Sequence, residues 1–158
     1  MKKLALLFAG LSLFVATGCT KNDDEVVLSP IRGVWQPLKE VVTTIQTGQQ
    51  PISDVITYSD CQKESRWRFN TESLGQRIEW NDVATPGVCA ISSSQNFSYI
   101  YDSSAKTIQI KYQGTVDPSN GKVVTLNETT LNLAIREETS DPTVYKTRTY
   151  TFKRIPQP

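Results

Sequence analysis

The chain has 158 residues, 17 Lys and Arg against 16 Asp and Glu, and a formal net charge of +1. A balance this even supplies no basic surface for nucleic acid. The complete lack of histidine removes Ser-His-Asp and Cys-His devices and histidine-ligated metals. The length suits one domain with its own core.

The N-terminus opens with Lys2 and Lys3, runs through the uncharged apolar stretch Leu4 to Val15, and ends on the small residues Ala16, Thr17 and Gly18. That stretch is too short to span a bilayer. Its order of positive, apolar and small residues is that of a secretory signal, assigned to residues 1–18. Cys19 follows, and "ATGC" resembles the lipobox of bacterial lipoproteins, with Ala16 where leucine is usual. The resemblance implies cleavage before Cys19 and acylation of its thiol. Acyl chains anchor a protein at about 0.8 kcal/mol per buried methylene, so two or three hold it permanently. "KNDDE", Lys21 to Glu25, is similar to the lysine-plus-acidic signal that sends lipoproteins to the cell surface in Bacteroidota. The expected location is therefore the outer membrane, exposed at the surface. Residues 19–31 read as a lipidated flexible tether closed by Pro30, and residues 32–156 as the folded domain.

From Gly33 to Ile155 polar and apolar residues alternate, rich in Thr, Val, Ile and aromatics, which is antiparallel β patterning. Eight strands are expected. The first covers Gly33 to Gln46. The second, "ESRWRFN", puts Ser65, Trp67 and Phe69 on one face and Arg66 and Arg68 on the other. The third, "QRIEWN", sets Ile78 and Trp80 opposite Arg77 and Glu79. The fourth, "NFSYIYD", groups Phe97, Tyr99 and Tyr101. The fifth, "KTIQIKYQ", points Ile108, Ile110 and Tyr112 inward. "GKVVTLN" and "TTLNLAIRE" follow, the latter using Leu131, Leu133 and Ile135. The last, "YKTRTYTFKRI", shares a face between Tyr150 and Phe152. "DSSAK" and "PSNGK" read as turns, and residues 82–95 as a loop. Thr47 to Asp60 fits a short helix, an irregular loop or an extra strand.

Cys61 precedes the second strand and Cys89 follows the third. A hairpin between those strands brings both cysteines to its open end, where a bridge is geometrically feasible. Export to an oxidising compartment favours it. Two cysteines then pair, and Cys19 takes lipid.

Eight antiparallel strands in chain order suggest a closed meander, which removes exposed sheet edges. At this point the residues resemble the lipocalin-like lipoproteins of Bacteroidota. "GVW", Gly33 to Trp35, is similar to the Gly-x-Trp that opens lipocalin barrels, and the cysteine–hairpin–cysteine layout and closing "YTFKRI" match the same group. The resemblance implies an eight-stranded up-and-down β-barrel. It also implies that Trp35 plugs the closed end beneath an arginine from the last strand, Arg154, in a cation–π contact.

Function is then read as non-covalent binding. In one reading the barrel admits a small apolar molecule against Trp67, Phe69, Tyr99, Tyr112, Tyr150 and Phe152, although the same rings serve equally as core. In the other the barrel is filled, and an exposed aromatic platform, with Trp80 the first candidate, binds a glycan or a protein. Arg66, Arg68, Arg136 and Arg148 read as solvated faces; on the Tyr150 face, Arg148 meets a ligand carboxylate instead. Glu64, Glu72, Glu79, Asp82 and Glu128 read as outward positions or turns rather than a facing catalytic pair. No enzyme activity, cofactor or metal is expected.

Overall fold

A computed structural model describes residues 30–70, 73–84 and 87–157. The expected signal segment, the lipidated Cys19, the tether up to residue 29 and Glu72 lie outside these residues.

The described residues form nine strands: β1 (Gly33–Gln46), β2 (Ile52–Thr57), β3 (Arg66–Phe69), β4 (Leu74–Asp82), β5 (Cys89–Asp102), β6 (Thr107–Tyr112), β7 (Ser119–Leu126), β8 (Thr130–Glu137) and β9 (Val144–Ile155). A single 3₁₀ turn, Gln62–Glu64, precedes β3. Each strand from β3 to β9 pairs antiparallel with the next, and β9 pairs with β1, which pairs with β3. These eight strands close the expected barrel. The ninth, β2, resolves the segment whose form was open between helix, loop and strand. β1 offers one edge to two partners, with Gly33–Trp35 taking β3 and Lys39–Thr44 taking β2.

Turn chemistry closes the hairpins. The Asp102 Oδ1 accepts the amides of Ser104 and Ala105, each at 2.9 Å, which bends "DSSAK" as expected. The Asn127 Oδ1 accepts the amides of Thr129 at 3.0 Å and Thr130 at 2.8 Å between β7 and β8.

Two expected boundaries move. Residues 82–95 are the expected loop only in part, because β4 runs to Asp82 and β5 starts at Cys89, with Ser93 opposite Glu79 and Ile91 opposite Trp80. The run is poor in bulky residues because it is mostly exposed and satisfied through its backbone ladder. "PSNGK" is not a turn throughout, because Ser119–Lys122 already belong to β7. Gly121 there faces Ile135, and a Cβ would come within 2.5 Å of the Ala134 carbonyl oxygen. The glycine serves close packing rather than a bend. Ile31, placed at the end of the expected tether, is buried in the core, and its carbonyl accepts the Trp35 indole N–H at 2.8 Å.

A bulge in β1 decides which residues face the interior. In the ladder with β9, Pro37 pairs with Phe152 and Lys39 with Thr151, so Leu38 is an extra residue. Trp35 and Pro37 are buried before it, and Glu40 and Val42 after it. One inserted residue has switched the inward phase from odd to even positions.

The closed half of the barrel is packed solid. Trp35, Trp67, Phe69, Phe152, Ile108, Ile110, Leu131 and Leu133 are its most deeply buried large side chains. The Arg154 guanidinium lies 4.2 Å from the centroid of the Trp35 ring and donates to the carbonyls of Arg32 at 2.7 Å and Pro30 at 2.8 Å. Gly33 has a φ of +133°, and a Cβ there would stand 2.5 Å from Arg154 Nη1. Only glycine meets both demands, which gives the Gly-x-Trp start a physical reason.

Cys61 and Cys89 are disulfide-bonded, with a Cα–Cα distance of 5.5 Å. The bridge straps the 3₁₀ turn onto the β4–β5 hairpin, assisted by Ser59 Oγ donating to Asp82 at 2.7 Å and Gln62 Nε2 donating to Asn81 at 3.0 Å. It closes a separation of 28 residues, so the Cys61→Ser/Cys89→Ser double variant should lose about 3.5 kcal/mol of stability. Urea unfolding monitored by tryptophan fluorescence measures the loss; an unchanged midpoint would contradict this role.

Candidate functional site

Above the packed half the barrel opens into a cup. A cleft of about 980 Å³ has Trp67, Ile110, Tyr112, Ile135 and Tyr150 among its lining residues and a polar rim that includes Thr115, Asp117 and Glu138. A second cleft of about 270 Å³ lies behind it, between Glu40, Tyr58, Gln62, Ser65, Trp80 and Arg148. Trp67, Arg77 and Tyr150 line both clefts and so stand between them.

Register explains how Arg77 arrives there. Trp67 on β3 pairs with Arg77 on β4, and Phe69 pairs with Gly75. Gly75, Arg77 and Glu79 therefore share the inward face. The apolar Ile78 pairs with Arg66 on the opposite face. Gly75 is needed because a Cβ would lie 2.2 Å from the Phe97 ring. The outward reading of Glu79 is thus corrected: its strand is phased by the large rings of β3 and β5, not by its own apolar residues. Trp80 is half-buried beside the smaller cleft, with its amide donating to Ser65 Oγ at 2.9 Å, so it is no exposed platform. Glu64, Arg68 and Glu128 lie at the exposed surface.

The six candidate lining residues divide by height. Phe69, Tyr99 and Phe152 belong to the packed half: the Phe69 ring meets Tyr99 edge-on at 5.0 Å, and Phe152 lies 5.3 Å from Trp67. Trp67, Tyr112 and Tyr150 reach the cup. Trp35 and Arg154 lie in the packed half, away from both clefts.

Charge dominates the open half. The Arg77 guanidinium lies 4.8 Å from the Trp67 centroid, 5.9 Å from Tyr112 and 6.0 Å from Tyr150, and it ion-pairs with Glu79. Arg77 Nη1 also donates to the Tyr112 hydroxyl at 3.3 Å. Arg148 shares the inward face with Tyr150, against the solvated reading. Its Nη1 pairs with the buried Glu40, and its Nε donates to Glu137 Oε1 at 2.5 Å. Glu137 Oε2 takes Lys146 Nζ at 2.9 Å, and the Tyr58 hydroxyl donates to Glu40 Oε2 at 2.8 Å.

Burial and neighbours set the proton affinities. Burial pushes the Tyr150 hydroxyl up to about 12, opposed by Arg77 and reinforced by Glu40. Burial also raises Tyr58, as does its hydrogen bond to Glu40. Burial disfavours the Arg77 charge, but Tyr112, Tyr150 and Glu79 outweigh that and hold its pKa above the ordinary value. For Glu137, burial pushes upward and hydrogen bonds from Lys146 and Arg148 prevail, leaving the carboxyl below its usual range. Among the described residues no cluster of three or more His, Cys, Asp or Glu is placed to hold a metal.

Sequence reasoning missed Glu40, Tyr58, Arg77, Glu79, Glu137 and Lys146 as site residues. A signal existed for two of them. Pro37 inside a strand marks a bulge, which re-phases Glu40; Gly75 in β4 marks a close ring approach, which phases Arg77.

A model of the lipocalin-like domain matches residues 31–133. Together with the closed eight-stranded barrel and its cup, this match defines the class. The chain belongs to the lipocalin-like domain family. Among solved structures, lobster apocrustacyanin A1 is similar at 12% identity and a TM-score of 0.43, covering 78% of this chain and 60% of that one. A deswapped triple mutant of bovine odorant-binding protein is similar at 14% identity and a TM-score of 0.39, covering 77% of this chain and 72% of that one. A protein of unknown function from Bacteroides ovatus is similar at 12% identity and a TM-score of 0.38, covering 80% and 42%. No curated protein matches the chain.

The Glu137 pairing carries a pH signature. Its carboxyl is held below the ordinary 4.5, so its contribution to stability is complete above that value and disappears as pH falls through the lower, folded value. Glu137→Gln should therefore be less stable than the parent at neutral pH, and the difference should shrink on acidification below about pH 4. Denaturant unfolding of both proteins across that range checks it; a constant difference would contradict the pairing.

Proposed function

We infer that this chain is a lipid-anchored binding protein of the bacterial outer membrane that takes a small, largely apolar molecule into its cup. The cleft of about 980 Å³ carries the reading. Its wall carries the rings of Trp67, Tyr112 and Tyr150 and the aliphatic Ile110 and Ile135 among polar and charged side chains, in a barrel of a size that holds one small ligand. Anchoring rests on the signal-like leader and on Cys19 in its lipobox-like setting, and surface exposure on "KNDDE". With no histidine and with its inward carboxylates tied to cations, the cup suits binding rather than catalysis.

A groove on the outer wall favours a second reading, as an adaptor for a protein or glycan. It measures about 640 Å³ and includes the exposed Ile100, Val124 and Tyr145, with Arg136 stacked 5.2 Å from the Tyr145 centroid.

Native mass spectrometry of the full chain, extracted gently from its own membranes, tests both parts of the first reading. The expected protein starts at an acylated Cys19 and carries a small-molecule adduct. Ile135→Trp, which fills the cup, should keep the acyl mass and lose the adduct. An unmodified Cys19 would contradict the anchoring. An adduct that survives Ile135→Trp would move binding to the outer groove.

A further inference from the structure

The inward charges are already matched to one another. Around the smaller cleft, Arg77 and Arg148 stand against Glu40 and Glu79. Around the larger cleft, Arg77 and the exposed rim residue Arg136 stand against Glu137 and the exposed rim residues Asp117 and Glu138. Carboxylates therefore equal the cations in one cleft and exceed them in the other. Each inward cation is committed: Arg77 to Glu79, Arg148 to Glu40 and Glu137, and Lys146 to Glu137. Arg136 is exposed at the rim and stacks on Tyr145. A carboxylate entering this space sheds its water and meets an excess of like charge, and it must break a partly buried pair to obtain a cation.

Arg77 Nε is buried without a hydrogen-bond partner, although its guanidinium is paired with Glu79, and the Tyr150 hydroxyl is a further uncommitted inward group. The Tyr150 hydroxyl lines both clefts and makes no hydrogen bond among the described residues. Around it the Trp67, Tyr112 and Ile135 side chains supply an apolar wall. Burial keeps this hydroxyl protonated at ordinary pH, so it can both donate to and accept from a ligand oxygen.

We propose that the cup selects an uncharged amphipath. Its apolar body lies against Trp67, Tyr112 and Ile135, its oxygen hydrogen-bonds the Tyr150 hydroxyl, and the same body bearing a carboxylate is refused. This rests on the cup being the binding site.

The test displaces a neutral fluorescent dye, N-phenyl-1-naphthylamine, from the full chain with dodecanol and dodecanoate, which share a chain length and differ in the charge of the head group. Dodecanol should displace the dye at roughly tenfold lower concentration than dodecanoate. In Glu79→Gln, where Arg77 loses its carboxylate, dodecanoate should gain roughly tenfold while dodecanol changes by less than about twofold. Glu40→Gln, which leaves Arg148 only the Glu137 carboxylate that it shares with Lys146, gives the same test should the first variant not fold. Dodecanoate equalling dodecanol on the parent protein would overturn the selection while leaving the cup as the site. Unaltered dodecanoate binding in a folded Glu79→Gln would do the same. Failure of the dye itself to bind, or its retention by Ile135→Trp, would overturn the cup as the site and the selection with it.

Discussion

The ladder between β1 and β9 runs from the Val34–Ile155 pair to the Gln46–Val144 pair and turns an open sheet into a barrel. It is also the seam that decides what the barrel contains. Because Leu38 is inserted without a partner, β1 presents Trp35 and Pro37 to the interior in its first half and Glu40 and Val42 in its second. Were Leu38 an ordinary paired residue of the ladder instead of a bulge, the alternation would continue and send Lys39 inward. The bulge therefore separates a sealed apolar base from a charged cup within one strand. Pro37, which cannot donate to a ladder, sits beside the irregularity.

The two halves contribute differently. In the base, aromatic rings meet at centroid separations of 5.0 to 6.4 Å, and aliphatic side chains fill the remaining space. Burial of this kind supplies most of a small domain's stability. The ion pairs of the cup are a different matter. Desolvating two charges offsets much of their attraction, so partly buried pairs add little net stability and mainly fix geometry. Here they hold Arg77 flat against Trp67 and tie β1 and β8 to β9 through Arg148. The cup is thus shaped by groups chosen for arrangement rather than for strength, and their mutual neutralisation sets its taste for ligands.

Much of the fold was legible. β1 begins and ends at the residues expected from its alternation, and the faces carrying Trp67 with Phe69, Ile108 with Ile110, and Tyr150 with Phe152 all point inward. The cysteine pair followed from hairpin geometry. Period-two patterning was less informative where it could not say which face was which. On β4 the apolar Ile78 lies outside and the charged Arg77 and Glu79 inside, because pairing with Trp67 on β3 fixes the phase. Glu40 was hidden for a related reason, since a single bulge inverts everything downstream of it. The serine-rich start of β5 carries little alternation, because its stability comes from the backbone ladder and the Cys89 bridge rather than from buried side chains. The ion pairs join residues far apart in sequence, as Glu40 and Arg148 are, so no local pattern announces them.

A double-mutant cycle on Glu40 and Arg148 tests the central claim most directly, because the two meet only if the bulge re-phases β1. Stabilities of the parent, Glu40→Gln, Arg148→Gln and the double variant should give a coupling free energy of about 1 kcal/mol or more. A coupling indistinguishable from zero in folded proteins would mean that Glu40 faces solvent, and that β1 does not carry its charge into the cup.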